Sequence, residues 1–248
     1  NLLGFALGIH VPAMTAVYDL MPIKGYATTM HRMDQIRLLT QTLIAGAADL
    51  GETDPITVMS AVEAGADLKI VGLVYKSTSL VFVVNADRIR DFKDLENPKN
   101  IVAVNGKGDI TYVMLVGPLL KRGVDIAKVT VVEIGGSGAR MQALLSGRVA
   151  AVPVHFDQAA EMTKRGNFKV LLEPWKEYRN WINEVWAADG SWLKKKENER
   201  AVVDLLKAEM TAFRKSDDDL EWYTAQYRKH VTLKDAKDAT VASVRLLW

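Results

Sequence analysis

The chain has 248 residues, 49% of them hydrophobic and 25% charged, an ordinary globular composition with material for one large domain or two small lobes. A formal net charge of +2, with no basic stripe interleaved with aromatics, argues against a nucleic-acid binder. The absence of cysteine removes disulfides, thiolate metal sites and cysteine nucleophiles together, and is compatible with export to an oxidising compartment.

Leu2–Ile9 is short, apolar and bounded by glycine, which predicts a buried strand. Pro12 suits the first turn of a helix over Ala13–Leu20, and Lys24–Met30 reads as a second strand. Asp34 is a suitable N-cap for a helix over Gln35–Ala45 that Gly46 ends. Ala47–Leu50 is then a strand, Gly51–Pro55 a loop and Ile56–Ala64 a helix. Asp67–Val74 and Ser79–Val84 are β-branched strands.

After a polar stretch over Asn85–Asn100 the pattern restarts. Strands are predicted over Ile101–Val104, Val129–Ile134, Val149–Val154 and Lys169–Leu172. Helices are predicted over Ile110–Arg122, Ala139–Leu145 and Asp157–Arg165. From Glu197 onward the chain reads as helical, with breaks near Ser216 and Thr232, and Lys194–Lys196 as a solvated helix start. Alternating strands and helices indicate an α/β architecture, and the restart near residue 100 indicates two such units.

Ligands of open α/β sheets bind at the carboxyl ends of strands, so the residues that follow each strand are the candidates. They are His10, His31, Arg32, Thr53, Asp54, the loop Asn105–Thr111 with Gly106, Asp109 and Thr111, Gly135–Ser137, and His155-Phe156-Asp157. Several of these loops lead into helices, whose free N–H groups favour anions.

Two stretches carry a family likeness. The first runs from Gln41 through Ala45-Gly46-Ala47-Ala48-Asp49-Leu50 to Gly51–Pro55 and Ala64–Val71. The second is Met141–Ala150 with Val152–Asp157 after it. Together they resemble the type-II periplasmic solute-binding proteins of ABC importers, the nitrate, sulfonate, taurine and thiamine-precursor group, where such a phrase occurs once per lobe. Asn105–Tyr112 resembles that family's glycine-serine-threonine loop. The departures fall at ligand-facing positions, including Glu52, Asp54, Arg148 and His155-Phe156-Asp157.

The resemblance implies a two-lobed α/β fold, each lobe a mixed sheet flanked by helices, with a helical C-terminal tail. Lobe I would comprise residues 1–84 and 186–248, and lobe II residues 85–185, with a hinge near 79–85 and 152–183. It implies capture of a small solute by hinge closure, by a monomeric extracytoplasmic protein whose signal peptide has been removed, and delivery to a membrane permease. No cofactor, no metal and no nucleic acid is expected. Ser79, on the hinge segment, joins the expected ligand-binding set.

Each candidate also has a plainer reading. Asn105–Asp109 lacks the glycine–Lys–Ser/Thr ending of a phosphate loop, so it is either a ligand loop or a turn capped by Asp109. Gly135-Gly136-Ser137-Gly138 falls short of a dinucleotide fingerprint, and Ser137 is a ligand contact or an N-cap. His10, His31 and His155 together would be a metal site only if the fold converged them, and no His pair at helical spacing supports it. Arg32 suits a carboxylate or sulfonate, or a surface acid such as Asp34; Glu52, Asp54, Asp109 and Asp157 point instead to an amine, pyrimidine or zwitterion. The aromatics between Trp175 and Trp192 read mainly as packing, as do Trp222, Tyr223 and Tyr227. Asp217–Asp219 reads as the start of a helix.

No catalytic phrase recommends an enzyme. Enzymes of the same fold (menaquinone-pathway or thiamine-pyrimidine type) remain the alternative, although the latter carry a cysteine-rich motif that this chain cannot supply. The effector domain of a transcription regulator is a third reading.

Overall fold

The computed structural model describes residues 1–5, 8–178, 180–231 and 241. The chain divides into two units, one of residues 1–33, 38–75 and 184–248, the other of residues 34–37 and 76–183.

In unit 1, β1 (Leu2–Gly4) is followed by a 3-10 turn over Gly8–His10, so the first strand is shorter than predicted. α1 (Val11–Thr15), with Pro12 in its first turn, continues through a π-helical turn (Ala16–Leu20) into α2 (Met21–Ile23). The widened turn precedes Pro22, which has no N–H to donate. β2 is Met30–Arg32 rather than Lys24–Met30, because Gly25 adopts φ 88° and Lys24–Thr29 is spent leaving the helix. α3 (Ile36–Ile44) stops at Gly46, whose φ of 68° is left-handed. β3 is Leu50–Thr53, so the expected loop from Gly51 is strand up to Asp54, which caps α4 (Pro55–Glu63). β4 (Leu68–Tyr75) completes this part.

The chain returns to unit 1 with β10 (Glu184–Asp189), a strand the sequence reading missed. α9 (Gly190–Leu193), α10 (Lys196–Asp218) and α11 (Leu220–His230) follow. Asp217 and Asp218 end α10, and it is Asp219 that begins the next helix, accepting from the Trp222 N–H at 2.9 Å. The predicted break near Thr232 lies outside the described residues.

Unit 2 contains β5 (Leu80–Asn85), β6 (Val102–Val104), β7 (Val131–Glu133), β8 (Ala151–His155) and β9 (Phe168–Leu172). Its helices are α5 (Ile110–Lys121), α6 (Ser137–Leu145), α7 (Phe156–Arg165) and α8 (Pro174–Glu177). β5 was expected in the first lobe. It is instead a strand of the second sheet, bonded to β8 and β9, because all of Leu80–Val84 is apolar and buried there. The polar stretch 85–100 is part of the same unit, with Ile89 and Leu95 buried and a 3-10 turn over Phe92–Glu96.

The two sheets repeat one plan. Unit 1 has the order β2-β1-β3-β10-β4, with β1 parallel to β2 and β3, and β10 antiparallel to β3 and β4. Unit 2 has the order β7-β6-β8-β5-β9, with β6 parallel to β7 and β8, and β5 antiparallel to β8 and β9. In each sheet the antiparallel strand is the first one met after a long crossing, at 75/76 into unit 2 and at 183/184 back into unit 1.

Unit 1 is cored by Met14, Val17, Tyr75, Trp186, Leu205, Tyr223 and neighbours on one face and by Leu3, Leu39, Leu43 and Val185 on the other. Val81, Val83, Leu144, Val152, Val154 and Met162 core one face of unit 2. Each such aliphatic side chain contributes about 1.5–3 kcal/mol on burial. α10 buries Val202, Leu205, Ala208, Glu209, Ala212 and Ser216, the stripe of an amphipathic helix with a carboxylate set into it.

Candidate functional site

The strand-end residues of unit 2 form two small networks. In the first, the Asp109 carboxylate caps α5, accepting from the Thr111 N–H at 2.8 Å and the Thr111 hydroxyl at 2.6 Å. Thr111 Oγ1 accepts in turn from the Asn105 N–H at 2.9 Å, so its hydroxyl is committed to the loop. The buried Arg140 guanidinium donates to Pro153 O at 2.8 Å and to the carbonyls of Ile134 and Gly135. Burial pushes Arg140 down to about 10, and the Asp109 charge opposes that fall. Burial raises Asp109, against its hydrogen bonds and the pull of Arg140. Asp109 Oδ2 and the Ser137 hydroxyl are buried without a partner. Ser137 is the first residue of α6 rather than its cap, which is Gly136.

The second network joins Ser79 and His155, whose Oγ and Nδ1 lie 2.7 Å apart. The Phe156 N–H donates to Ser79 O at 2.9 Å, and the His155 N–H donates to Gln158 Oε1 at 3.0 Å. The Phe156 ring is exposed, while Gly106 is buried.

In unit 1, His10 is 2% exposed, and its ring lies 5.2 Å from that of Phe5 and 5.9 Å from that of Tyr75. Thr53 is buried with its hydroxyl 3.1 Å from that of Thr40. Asp54 accepts from the Thr57 N–H at 3.0 Å and the Thr57 hydroxyl at 2.5 Å. His31 and Arg32 lie exposed on β2.

The sequence reading missed the acids around His10. Glu52, in the loop expected from Gly51, is a fully buried residue of β3, and Glu184 and Glu209 are buried outside every predicted site. His10 Nε2 lies 3.3 Å from both carboxylate oxygens of Glu184. Glu209 accepts from the Trp186 indole N–H at 2.8 Å. Among the described residues no lysine or arginine pairs with Glu52, Glu184 or Glu209. Burial therefore dominates: it raises Glu52 well above the carboxylate range, and Glu184 and Glu209 to about 8. The nearby Asp54 charge adds to the rise at Glu184. His10 is lowered by the same desolvation, opposed by Glu52. Signals existed in the sequence: Glu209 interrupts the apolar stripe of α10, and Glu184 opens the apolar run Val185–Ala188.

Two mixed five-stranded sheets of one plan, each flanked by helices and carrying polar groups at strand ends, define the fold of the periplasmic solute-binding proteins. The alkanesulfonate-binding protein SsuA from Xanthomonas axonopodis pv. citri, bound to MOPS, is similar with a TM-score of 0.81 at 20% identity, over 99% of this chain and 82% of that one. The periplasmic aliphatic sulphonate-binding protein SsuA from Escherichia coli matches with a TM-score of 0.74 at 19% identity, over 98% and 81%. The periplasmic nitrate-binding protein NrtA from Synechocystis PCC 6803 matches with a TM-score of 0.72 at 16% identity, over 96% and 69%. No curated protein matches by sequence. The NMT1/THI5-like family model matches residues 36–215, and the chain belongs to that family.

Proposed function

We propose that this chain is the solute-binding component of an ABC importer, acting outside the cytoplasmic membrane and delivering a small solute to a membrane permease. The observation that carries the reading is the family match over residues 36–215 on the fold shared with the sulfonate- and nitrate-binding proteins. The expected mechanism is capture between the two units by a hinge movement about the chain crossings at 75/76 and 183/184. Closure would exclude water and strengthen each polar contact to the solute. Ser79, His155 and Phe156, with Gly106, Asp109, Thr111 and Ser137, are the proposed contacts from unit 2. Thr53 and Asp54, with His10, His31 and Arg32, are those proposed from unit 1.

Refolded, ligand-free protein would be screened by thermal shift against sulfonates, nitrate, aromatic carboxylates, amino acids and pyrimidines. A binder of the native state raises the melting temperature in proportion to the logarithm of its concentration over Kd. The expected result is a shift with one chemical class, recovery of that compound unchanged, and weaker binding by Thr53→Ala and His155→Ala. Turnover of the compound would make the chain an enzyme. Unchanged affinity in both variants would remove these residues from the site.

A further inference from the structure

His10, Glu52 and Glu184 come from three separate elements, the 3-10 turn after β1, the interior of β3 and the first position of β10. Glu52 pairs with Trp186 across the β3–β10 ladder, and Glu184 stands two residues before Trp186, so both carboxylates project from one face. One ligand atom from each of the three residues lies within 4.8 Å of the others, and all three residues are buried.

These groups satisfy one another only in part. His10 Nδ1 and Glu52 Oε1 are buried with no hydrogen-bond partner. Glu52 Oε2 has only the Phe5 N–H, at 3.5 Å. The two 3.3 Å approaches of His10 Nε2 to Glu184 are longer than a good N–H···O bond. A buried carboxyl kept neutral by a proton would donate that proton, and Glu52 Oε1 has nothing to donate to. By contrast, ligands bonded to one ion at about 2.0–2.2 Å stand about 3.0–3.5 Å apart when adjacent, close to the His10–Glu184 spacing. Gly4 leaves room for this arrangement, since a Cβ there would lie 2.9 Å from Glu52 Oε2.

We propose that His10, Glu52 and Glu184 bind one divalent transition-metal ion, of zinc-like chemistry, inside unit 1. One imidazole and two carboxylates suit such an ion, and the two carboxylates balance its double charge without any lysine or arginine. The imidazole argues against calcium or magnesium, which take oxygen ligands. Glu209, bonded to Trp186, stays outside the set. Three protein ligands leave a position for water. The site lies within one unit and does not depend on the importer reading.

Chelator-stripped wild-type protein would be titrated with Zn2+ alone by calorimetry, beside the near-isosteric variants Glu52→Gln and Glu184→Gln and the surface control Glu161→Gln, whose carboxylate pairs with Arg165 on α7. The expected result is one ion per chain and a raised melting temperature for wild type and Glu161→Gln. Loss of a metal-bound group is expected to weaken binding by more than about 100-fold, beyond the 10–100-fold of an outer-shell change. Absence of binding by the wild type, or binding kept by both glutamine variants, would overturn the site. Should either variant fail to fold, X-ray absorption on Zn2+-loaded wild type decides: one imidazole with oxygen ligands supports the site, and no imidazole or several overturns it. His10 stands in both readings, but solute binding is read through Thr53→Ala and His155→Ala and the metal through Glu52→Gln and Glu184→Gln, so either idea can fail alone.

Discussion

The two units share a strand plan but treat buried charge in opposite ways. Unit 2 sets Arg140 and Asp109 within each other's field and ties the guanidinium to three backbone carbonyls. Unit 1 gathers Glu52, Glu184 and Glu209 near His10 with, among the described residues, no lysine or arginine paired to any of the three. The same topology therefore does not dictate the same electrostatics. In unit 2 the compensation is internal, whereas in unit 1 it must come from protons or from an added cation.

The sharpest way to break this comparison is Arg140→Ala. It should cost about 3–5 kcal/mol, because it leaves Asp109 buried without its counter-charge and three carbonyls without a donor. Chemical denaturation checks it; a cost under about 1 kcal/mol would mean that Arg140 compensates nothing. In unit 1 the matching change is Glu209→Ala, expected to cost about 1–3 kcal/mol by leaving the buried Trp186 N–H unpaired. Glu209→Gln keeps an acceptor and should cost less than about 1 kcal/mol. If glutamine is as damaging as alanine, the Glu209 charge matters and the contrast between units weakens. Asp54→Ala should cost about 1 kcal/mol for the lost cap of α4, read by the same chemical denaturation.

Alternation and punctuation made much of the fold legible. Gly46 ends α3 and Pro55 opens α4 as expected, because backbone constraints act locally. The failures were of two kinds. β2 begins at Met30 because leaving α2 consumes Lys24–Thr29, a length that local propensity does not report. β5 and β10 changed allegiance or were missed because partner choice for a strand is a long-range matter. The strand-end rule points to His10, Thr53, Asp54, Asp109 and His155, each of which engages in a side-chain hydrogen bond. It could not find Glu52, Glu184 and Glu209, whose convergence depends on β3 and β10 lying side by side. Histidine spacing in the sequence carries no sign of this cluster, because the residues that meet His10 are acids.

The late arrival of β10 has a consequence for synthesis. It lies between β3 and β4, yet it is separated from β4 by all of residues 76–183. Until the ribosome has made residue 189, the first sheet has a gap where its antiparallel strand belongs, and the face that packs on Trp186 is open. Unit 2, apart from residues 34–37, is one continuous stretch and can close first, reversing the N-terminal-first order usual for domains. The earliest segment of the chain is thus the last to be finished, and it must stay free of wrong partners while more than a hundred residues are added behind it.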